Sequence, residues 1–247
     1  MAQPVRFKVI VKAINYHDKD VASYQLYSEK RLPHFSPGQF IHLTIDEFDP
    51  SSFWPESRAF SVANAVLDRH TLNLTIGRQG DYTARILDEL QIGDSIWAKG
   101  PYGEFCVDKM ADCDRIVMIA GGTGVTPFCS FMDSAISLKL IPADEVILYY
   151  GARTSDLLIY HQLAERCSRA VSGFSAKYYV EHPLAGDNMV DINHGRLSIE
   201  AINADLGGCM NTVFYISGPK SMIQGFSQEL VESYRVDSSR VILDAWE

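Results

Sequence analysis

Apolar and polar side chains alternate with a period of two through much of the first hundred residues. The alternation is plainest in residues 5–12 and residues 71–76. Further strand candidates, bounded by turn residues, are 20–27, 38–45, 58–64 and 94–99. Since this period is typical of strands with one buried face, we predict an antiparallel sheet of six strands closed into a small Greek-key barrel, with a short helix near 83–90.

The pattern changes after residue 103, where longer apolar runs replace the alternation. These runs are residues 115–120, 145–150, 176–180, 212–217 and 240–243. The segments between them are long enough for helices, and this arrangement predicts a five-stranded, parallel, doubly wound α/β sheet. We therefore expect two domains, residues 1–108 and residues 109–247.

The start of one helix in the second domain can be predicted from its residues. Thr126 is a candidate cap and Pro127 suits a first helical turn. Apolar residues then recur at helical spacing at Phe128, Phe131, Met132 and Ala135. We expect this helix to begin directly after a glycine-rich loop.

Composition excludes several classes of function. The 247 residues carry a formal charge of -9 without any block of like charge, which argues against nucleic-acid binding. No apolar stretch reaches the roughly 18 to 20 residues of a membrane span, and the first residues lack the apolar segment of a signal peptide. A soluble cytoplasmic protein is the expectation.

Five cysteines and seven histidines show no spacing typical of metal or iron-sulfur ligation. The cysteines are odd in number and scattered, so we expect reduced thiols and no metal site. A redox protein of this composition would need a bound organic cofactor.

The glycine loop Gly121-Gly122-Thr123-Gly124 lies between a buried strand and a helix. Such a loop presents backbone N–H groups and the positive end of a helix, a combination suited to a pyrophosphate. A turn whose glycines serve packing alone is the alternative interpretation. The loop also lacks the G-x-G-x-x-G spacing of standard Rossmann dehydrogenases.

A second candidate motif, Arg58-Ala59-Phe60-Ser61, lies on a predicted strand. Arginine can grip a phosphate, an aromatic ring can stack on a flat cofactor, and a hydroxyl can bond a ring nitrogen. By itself the tetrapeptide is weak evidence, because a surface arginine beside a core phenylalanine is the commoner explanation of such a pattern.

Seven motifs taken in order give the chain its strongest signal. They are Pro37-Gly38-Gln39-Phe40, Arg58-Ala59-Phe60-Ser61, Gly80-Asp81-Tyr82-Thr83, Gly100-Pro101-Tyr102-Gly103, Gly121 to Pro127, Tyr150-Gly151-Ala152-Arg153 and Ser217-Gly218-Pro219. In this order the chain resembles the ferredoxin-NADP reductase superfamily over essentially its whole length.

This resemblance implies bound FAD, with FMN as the rarer choice among relatives. It implies that Arg58 binds flavin phosphate, that Phe60 stacks on the isoalloxazine where relatives more often have tyrosine, and that Ser61 approaches the reactive N5. Gly80 and Thr83 would bind the pyrophosphate. The full set of candidate flavin-binding residues is Arg58, Ala59, Phe60, Ser61, Gly80, Asp81, Tyr82 and Thr83.

The resemblance also implies a nicotinamide site. Its candidate residues are Gly121, Gly122, Thr123, Gly124, Thr126, Ser217, Gly218 and Pro219. Many relatives have cysteine where this chain has Ser217. Near the end of the chain, Asp244 and Trp246 resemble an acidic and an aromatic residue that lie against the flavin, with packing between the domains as the alternative for Trp246. The candidate catalytic residues are Ser61, Ser217 and Asp244.

Charges near the adenosine ribose bear on the choice of coenzyme. Arg153 and Arg196 could bind the 2'-phosphate of NADPH, whereas Glu181 would repel it and accept a hydrogen bond from a free ribose hydroxyl. We expect NADH to be preferred or both coenzymes to be used.

The resemblance implies hydride transfer from NAD(P)H to FAD, followed by electron transfer to a separate carrier such as a ferredoxin, a flavodoxin or an oxygenase component. An acidic carrier would require a basic face, yet residues 1–108 hold 11 Lys and Arg against 14 Asp and Glu. Two alternatives stay open: an NAD(P)H:flavin reductase that uses free flavin, and a non-catalytic module that retains the fold.

Overall fold

The structure is a computed structural model that describes residues 3–107, 113–183 and 192–244. Within these ranges the chain forms two six-stranded sheets, one antiparallel and one parallel. Among the described residues, no helix is both long enough and apolar enough to cross a membrane.

The first sheet is a barrel of antiparallel strands. Its strands are β1 (Val5–Tyr16), β2 (Val21–Tyr27), β3 (Phe40–Thr44), β4 (Arg58–Ser61), β5 (Thr71–Gly77) and β6 (Ser95–Tyr102), and helix α1 (Asp81–Glu89) follows β5. The strand order is β4-β3-β6-β1-β2-β5. Beyond the last residue of β4, the amide of Ala63 donates to the carbonyl of Asn73 in β5 at 2.8 Å, which brings the two edges of the sheet together.

The second sheet is parallel, with helices on both faces. Its strands are β7 (Arg115–Gly121), β8 (Glu145–Ala152), β9 (Phe174–Val180), β10 (Ile192–His194), β11 (Thr212–Ser217) and β12 (Val241–Leu243), in the order β10-β9-β8-β7-β11-β12. The helices are α2 (Thr126–Leu138), α3 (His161–Ala170), α4 (Ile199–Leu206) and α5 (Lys220–Glu232), with 3-10 helices at Gly122–Val125, Ser155–Leu157 and Ser238–Arg240.

The predicted fold class is confirmed, with one strand more than expected in the parallel sheet. The additional strand, β10, has three residues and lies at the edge of the sheet. Strand β11 is buried along its whole length and separates two clusters of apolar side chains. Burial on both faces explains why these strands appear in the sequence as continuous apolar runs.

The predicted capping role of Thr126 is wrong. Helix α2 starts at Thr126 itself, Val125 holds the cap position, and no side chain caps the helix there. The Thr126 hydroxyl instead donates to the carbonyl of Thr123 at 2.9 Å. The cause is the 3-10 helix at Gly122–Val125, which already supplies the preceding turn and runs directly into α2.

Polar contacts join the two domains. The Thr75 hydroxyl of the barrel lies 2.6 Å from the Tyr160 hydroxyl at the start of α3, and it also lies 2.7 Å from the Ser23 hydroxyl. The amide of Gly38 donates to the Ser130 hydroxyl at 2.9 Å. The boundary expected between residues 108 and 109 lies outside the described residues and stays a prediction.

Candidate functional site

A cleft of about 590 Å³ lies where the barrel meets the parallel sheet. It opens beside the ends of β7 and β11, the neighbouring strands at which the chain order of the sheet reverses. Ligands of doubly wound sheets bind at the carboxyl ends of strands at such a reversal. A volume of this size is typical of small-molecule sites.

Most of the predicted site residues line this one cleft. From the barrel these are Arg58, Ala59, Phe60, Ser61, Gly80, Asp81, Tyr82 and Thr83. From the parallel sheet they are Thr123, Gly124, Thr126, Ser217, Gly218 and Asp244. The Arg58–Ser61 motif and the glycine loop therefore face one another across the same cleft.

Arg58 is a half-exposed cation on the barrel wall of the cleft. Its guanidinium lies 4.8 Å from the centre of the Tyr82 ring, donates to the Glu56 carboxylate at 2.7 Å and donates to the Ser57 carbonyl at 2.9 Å. Arg85 lies over the same ring at 5.4 Å but does not line the cleft. The exposed Glu56 pair is the kind of contact that a ligand phosphate can replace.

The side chain of Tyr82 is almost fully buried, with only 3 % of its surface exposed. Its hydroxyl contacts the Thr44 hydroxyl at 3.1 Å, donates to the Glu56 carbonyl at 2.9 Å and accepts from the amide of Ile45 at 3.1 Å. These contacts fix the ring on which Arg58 rests. Tyr82 thus holds the cation in place from beneath.

The N-terminus of α1 also faces the cleft. The Thr83 hydroxyl accepts from the amides of Gln79 at 2.8 Å and Gly80 at 3.1 Å, and it donates to the Gly80 carbonyl at 3.0 Å. The first amides of a helix have no partner within the helix, and the helix dipole makes this end positive. Together with Arg58, this end suits a pyrophosphate.

Phe60 and Ser61 continue the barrel wall. Phe60 is partly buried against the apolar core of the barrel, and Ser61 is 9 % exposed. The Phe60 ring therefore has one supported side, and the residue also borders the cleft, as required of a platform for a flat ring.

The glycine loop is shaped by protein packing as well as by open space. A Cβ on Gly124 would lie 2.5 Å from the Gly218 backbone, and a Cβ on Gly121 would lie 2.7 Å from the Met222 sulfur. At Gly122 the site is open, but φ is 54°, a conformation that favours glycine. Packing within the protein, the alternative interpretation of the loop, therefore accounts for glycine at Gly121 and Gly124, which allow two turns to touch.

Ser217 and Asp244 are joined directly, although 27 positions separate them in sequence. The Ser217 hydroxyl donates to the Asp244 carboxylate at 2.7 Å, and both side chains are buried. Asp244 follows β12, and its amide donates to the carbonyl of Ile216 at 2.9 Å. Pairing of β11 with β12 thus places a carboxylate at the back of the cleft.

Some predicted residues do not line this cleft. Gly121, Gly122 and Pro219 lie beside it within the two turns, and Trp246 lies outside the described residues. Arg153, Glu181 and Arg196 lie further along the same edge of the sheet, after the ends of β8, β9 and β10. The carboxylate of Glu181 lies 3.9 Å from the Arg196 guanidinium, and both side chains are exposed.

Five cleft residues were missed by the sequence analysis: His42, Ser57, Thr75, Gly77 and Gln79. His42 pairs with Ala59 across β3 and β4, and Gln79 precedes the Gly80 motif. Ser57 directly precedes Arg58, so extending each motif by strand pairing and by one neighbour along the chain would have found these three residues. Burial and the nearby Lys99 charge hold the pKa of His42 below its usual value.

Two family models match the chain, one over each half. The oxidoreductase FAD-binding domain matches residues 6–106, and the oxidoreductase NAD-binding domain matches residues 118–228. The chain belongs to the ferredoxin-NADP reductase superfamily. The two matched domains are the FAD-binding and NAD-binding domains of an oxidoreductase family.

Relatives and a solved structure agree with this membership. The chain is 26% identical over 211 residues to a flavohemoprotein from Bacillus subtilis, covering 83% of this chain and 50% of the relative. It is 27% identical over 191 residues to the 2-halobenzoate 1,2-dioxygenase electron transfer component of Burkholderia cepacia, covering 77% and 52%. The chain thus spans about half the length of these relatives.

The fold matches that of a ferredoxin NADP+ reductase from Neisseria gonorrhoeae, solved with bound FAD and NADP. The TM-score is 0.77 at 18% identity, and the match covers 99% of both chains. The cleft residues fit such cofactors, because a cation and a helix N-terminus suited to phosphate lie beside a supported aromatic ring. Among the described residues, no group of three or more His, Cys, Asp or Glu side chains could hold a metal ion.

Proposed function

We propose that this protein transfers a hydride from NAD(P)H to FAD and passes the electrons to a separate protein acceptor. The observation that carries the proposal is the single cleft in which the Arg58–Ser61 strand faces the Thr123–Gly124 turn and Ser217. When bound, FAD supplies the capacity to accept a hydride equivalent and to release electrons one at a time. The protein's own residues then act by binding, orientation and exclusion of water.

The barrel wall holds the flavin in this proposal. Arg58 and the N-terminus of α1 bind the phosphates, with the backbone near Gly80 and Thr83 approaching the pyrophosphate. Phe60 would support one face of the flavin ring system, and the Ser61 hydroxyl would be available to its ring nitrogens. Support comes from the packing of Arg58 on Tyr82, which holds the guanidinium at the cleft wall, and from the exposure of its Glu56 partner, which a phosphate can replace.

The opposite wall orients the nicotinamide. The Ser217 hydroxyl donates its proton to Asp244, so its oxygen can accept a hydrogen bond from a donor on the ligand. The Thr123–Gly124 turn and Gly218 present their backbone to the ligand, because Gly124 and Gly218 are too close for a side chain to lie between them. Hydride transfer needs no general acid or base, so Ser61, Ser217 and Asp244 act through position and polarity.

NADH is the preferred coenzyme, or both coenzymes are used, in this proposal. Arg153, Glu181 and Arg196 lie along the carboxyl edge of the sheet, where a coenzyme extending from Ser217 would place its adenosine. The Glu181 carboxylate repels a 2'-phosphate and weakens the use of Arg196, which lies 3.9 Å from it.

The acceptor is a ferredoxin, a flavodoxin or an oxygenase component. One relative is named as the electron transfer component of a dioxygenase, which supports the last of these. A cytoplasmic location is also proposed, supported by the odd number and scattered positions of the five cysteines. The proposed domain limits remain residues 1–108 and residues 109–247.

An anaerobic titration of the purified protein with NADH and then NADPH tests this function. Bleaching of the flavin absorbance band by either coenzyme is expected, with reoxidation on addition of a ferredoxin, a flavodoxin or an oxygenase component. Flavin that separates from the protein on gel filtration and turns over as a free substrate would indicate a flavin reductase. Bound flavin that neither coenzyme reduces would indicate a non-catalytic module.

A further inference from the structure

Three polar side chains of the barrel form a hydrogen-bonded row that leads from the barrel surface to the cleft. His17 lies in the turn that follows β1, and Ser23 of β2 pairs directly with Thr75 of β5. The His17 Nε2 atom lies 2.8 Å from the Ser23 hydroxyl, and this hydroxyl lies 2.7 Å from the Thr75 hydroxyl. We call these three residues the polar row.

Thr75 is the cleft end of the polar row. It borders the same cleft as Phe60 and Ser61. The hydrogen bond from the Ala63 amide to the Asn73 carbonyl places β5 alongside the chain that leaves β4. Thr75 is only 6% exposed, so its hydroxyl adjoins the proposed cofactor site while bulk water is largely excluded from it.

The Tyr160 phenol favours one direction for the hydrogen bonds of the row. Its hydroxyl lies 2.6 Å from the Thr75 hydroxyl, and burial raises the pKa of Tyr160 well above its usual value, so the phenol keeps its proton and can donate it. A hydroxyl has one proton and two lone pairs. With Tyr160 as donor, Thr75 can donate to Ser23 and still has one lone pair for a proton donor in the cleft.

His17 is the surface end of the polar row. Burial lowers the pKa of His17, and the neighbouring Asp18 carboxylate opposes this shift, whereas the Asp20 carboxylate in the same turn is paired with Arg78. The imidazole is therefore mainly neutral at neutral pH. In its Nδ1–H tautomer, Nε2 accepts a hydrogen bond from Ser23. Because His17 is partly exposed, an imidazolium formed there can lose a proton to water.

The proposed reaction leaves one proton in the cleft at each turnover. Oxidation of one NADH by two one-electron acceptors yields NAD+, two reduced acceptors and one proton. The hydrogen enters the cleft as a hydride with two electrons, and it remains as a proton after both electrons have left. Hydride transfer itself neither consumes nor releases a proton, so the removal of this proton belongs to the electron-releasing half of the reaction.

We propose that the polar row carries this proton from the cleft to the solvent. The proposal rests on the proposed function and assigns three further residues to its electron-releasing half. The Thr75 oxygen accepts the proton while its own proton passes to Ser23, and the Ser23 proton passes to Nε2 of His17. Loss of one proton from the imidazolium to water, followed by rotation of the two hydroxyls, restores the row.

The test separates proton transfer from packing between the domains. Thr75→Val removes the hydroxyl at the cleft end of the row, and Thr75→Ser retains it. Tyr160→Phe is the matched control, because it removes the same hydrogen bond between the domains and leaves the polar row complete. Ser23→Ala interrupts the row at a residue that does not line the cleft, so it decides the question even if Thr75→Val loses FAD.

Stopped-flow absorbance follows the two halves of the reaction separately in the FAD-loaded protein. NADH bleaches the flavin band, and excess ferricyanide then reoxidises it while an indicator dye reports proton release. We expect Thr75→Val and Ser23→Ala to slow reoxidation and proton release by about tenfold or more, with bleaching by NADH changed by less than about twofold. Thr75→Ser should recover most of the rate. Tyr160→Phe should lower the urea midpoint, as Thr75→Val does, without slowing proton release.

His17 provides a readout that does not depend on turnover. In histidine-labelled protein without FAD, nitrogen NMR at neutral pH should show His17 as the Nδ1–H tautomer, and Ser23→Ala should abolish this preference. His17→Gln should slow proton release from the FAD-loaded protein, and added imidazole should restore the rate. A purely structural role for His17 does not predict this rescue.

Three results would each overturn the proposal. These are equal slowing of proton release in Thr75→Val and Tyr160→Phe, an unchanged rate in Ser23→Ala, and a neutral His17 that carries its proton on Nε2. If NADH does not bleach the flavin, the proposed function fails. Reoxidation of photochemically reduced protein by ferricyanide, with the same dye and the same variants, still tests the polar row separately.

Discussion

The two walls of the cleft are built by different means. On the barrel side, side chains form the wall: the Arg58 guanidinium rests on the Tyr82 ring, and the Thr83 hydroxyl binds two backbone amides. On the opposite side, backbone forms much of the wall, because the Gly124 turn touches the Gly218 turn with no room for a Cβ.

Because of this difference, the two walls should respond differently to amino-acid substitution. A side chain on the barrel wall can be shortened with loss of a ligand contact and little change in the fold. A side chain added to the backbone wall forces two turns apart, so the fold itself is affected. The first wall should therefore respond to substitution in cofactor affinity and the second in stability.

Substitution of Gly124 by alanine is the strongest test of the backbone wall. A Cβ would lie 2.5 Å from the Gly218 backbone, so we expect Gly124→Ala to lower the free energy of unfolding by about 3 kcal/mol in urea titrations. Gly225→Ala is the matched control, since the space around Gly225 in α5 is open and alanine should add about 0.5–1 kcal/mol. Equal stability of the two variants would contradict the described packing of the turns.

Replacement of Arg58 tests the barrel wall. Hydrogen bonds to charged groups contribute about 1.5–3 kcal/mol, so Arg58→Ala should weaken FAD binding about 10- to 100-fold, measured by fluorescence titration of the apoprotein. Arg85→Ala is the control, because Arg85 lies over the same Tyr82 ring but away from the cleft. If both variants weaken FAD binding equally, Arg58 acts through the packing of Tyr82 and not through the ligand.

The Ser217–Asp244 pair gives the second wall a buried hydrogen bond between two side chains. We expect Ser217→Ala to lower kcat/KM for NADH by about tenfold, as loss of a positioning contact does, with FAD affinity unchanged. Ser217→Cys should retain more activity than Ser217→Ala. A loss of FAD from the Ser217→Ala protein would show that the pair serves the flavin instead.

Substitution of Glu181 tests whether the coenzyme site extends from the second wall along the edge of the sheet. The carboxylate is exposed and lies near Arg196, so Glu181→Gln should raise kcat/KM for NADPH relative to NADH by about fivefold, as expected for an exposed charge. Glu200→Gln, which removes an exposed carboxylate from α4, should leave the ratio unchanged. An unchanged ratio in Glu181→Gln would remove this residue from coenzyme selection.

The smallest effect concerns the pH dependence of the barrel wall. Because burial and Lys99 lower the pKa of His42 in the folded protein, the unfolded chain binds the proton more readily. Stability from this group is therefore complete above about pH 6.5 and declines as the pH falls below that value. The drop in urea midpoint from pH 7.5 to pH 5.5 should be smaller in His42→Gln than in wild type, with His182→Gln as an exposed control.

The fold was largely predictable because its signals are local. Alternation in residues 5–12 and 71–76 and the apolar runs 115–120 and 145–150 each reflect which faces of a strand are buried. The three residues of β10 carry no such period, since two of them are exposed, so this edge strand was not predicted.

The site was predictable where a motif occupies one turn and unpredictable where strand pairing creates the contact. Arg58 and Gly124 were found as parts of motifs, whereas the Ser217–Asp244 hydrogen bond depends on the pairing of β11 with β12. The packing role of Gly124 depends likewise on the approach of the Gly218 turn. Both contacts are tertiary, and the periodicity of apolar residues in the sequence does not indicate them.

The Thr75 hydroxyl links the barrel to the parallel-sheet domain, so it bears on experiments that separate the two domains. It is shared between Ser23 of its own barrel and Tyr160 of the other domain, and it also borders the cleft. A barrel produced alone would expose this hydroxyl to water, and the separated sheet domain would uncover the phenol that Thr75 now meets. Mixing the two separately produced domains should therefore give a higher Tm than either domain has alone. The increase in Tm would measure the strength of the interaction between the domains.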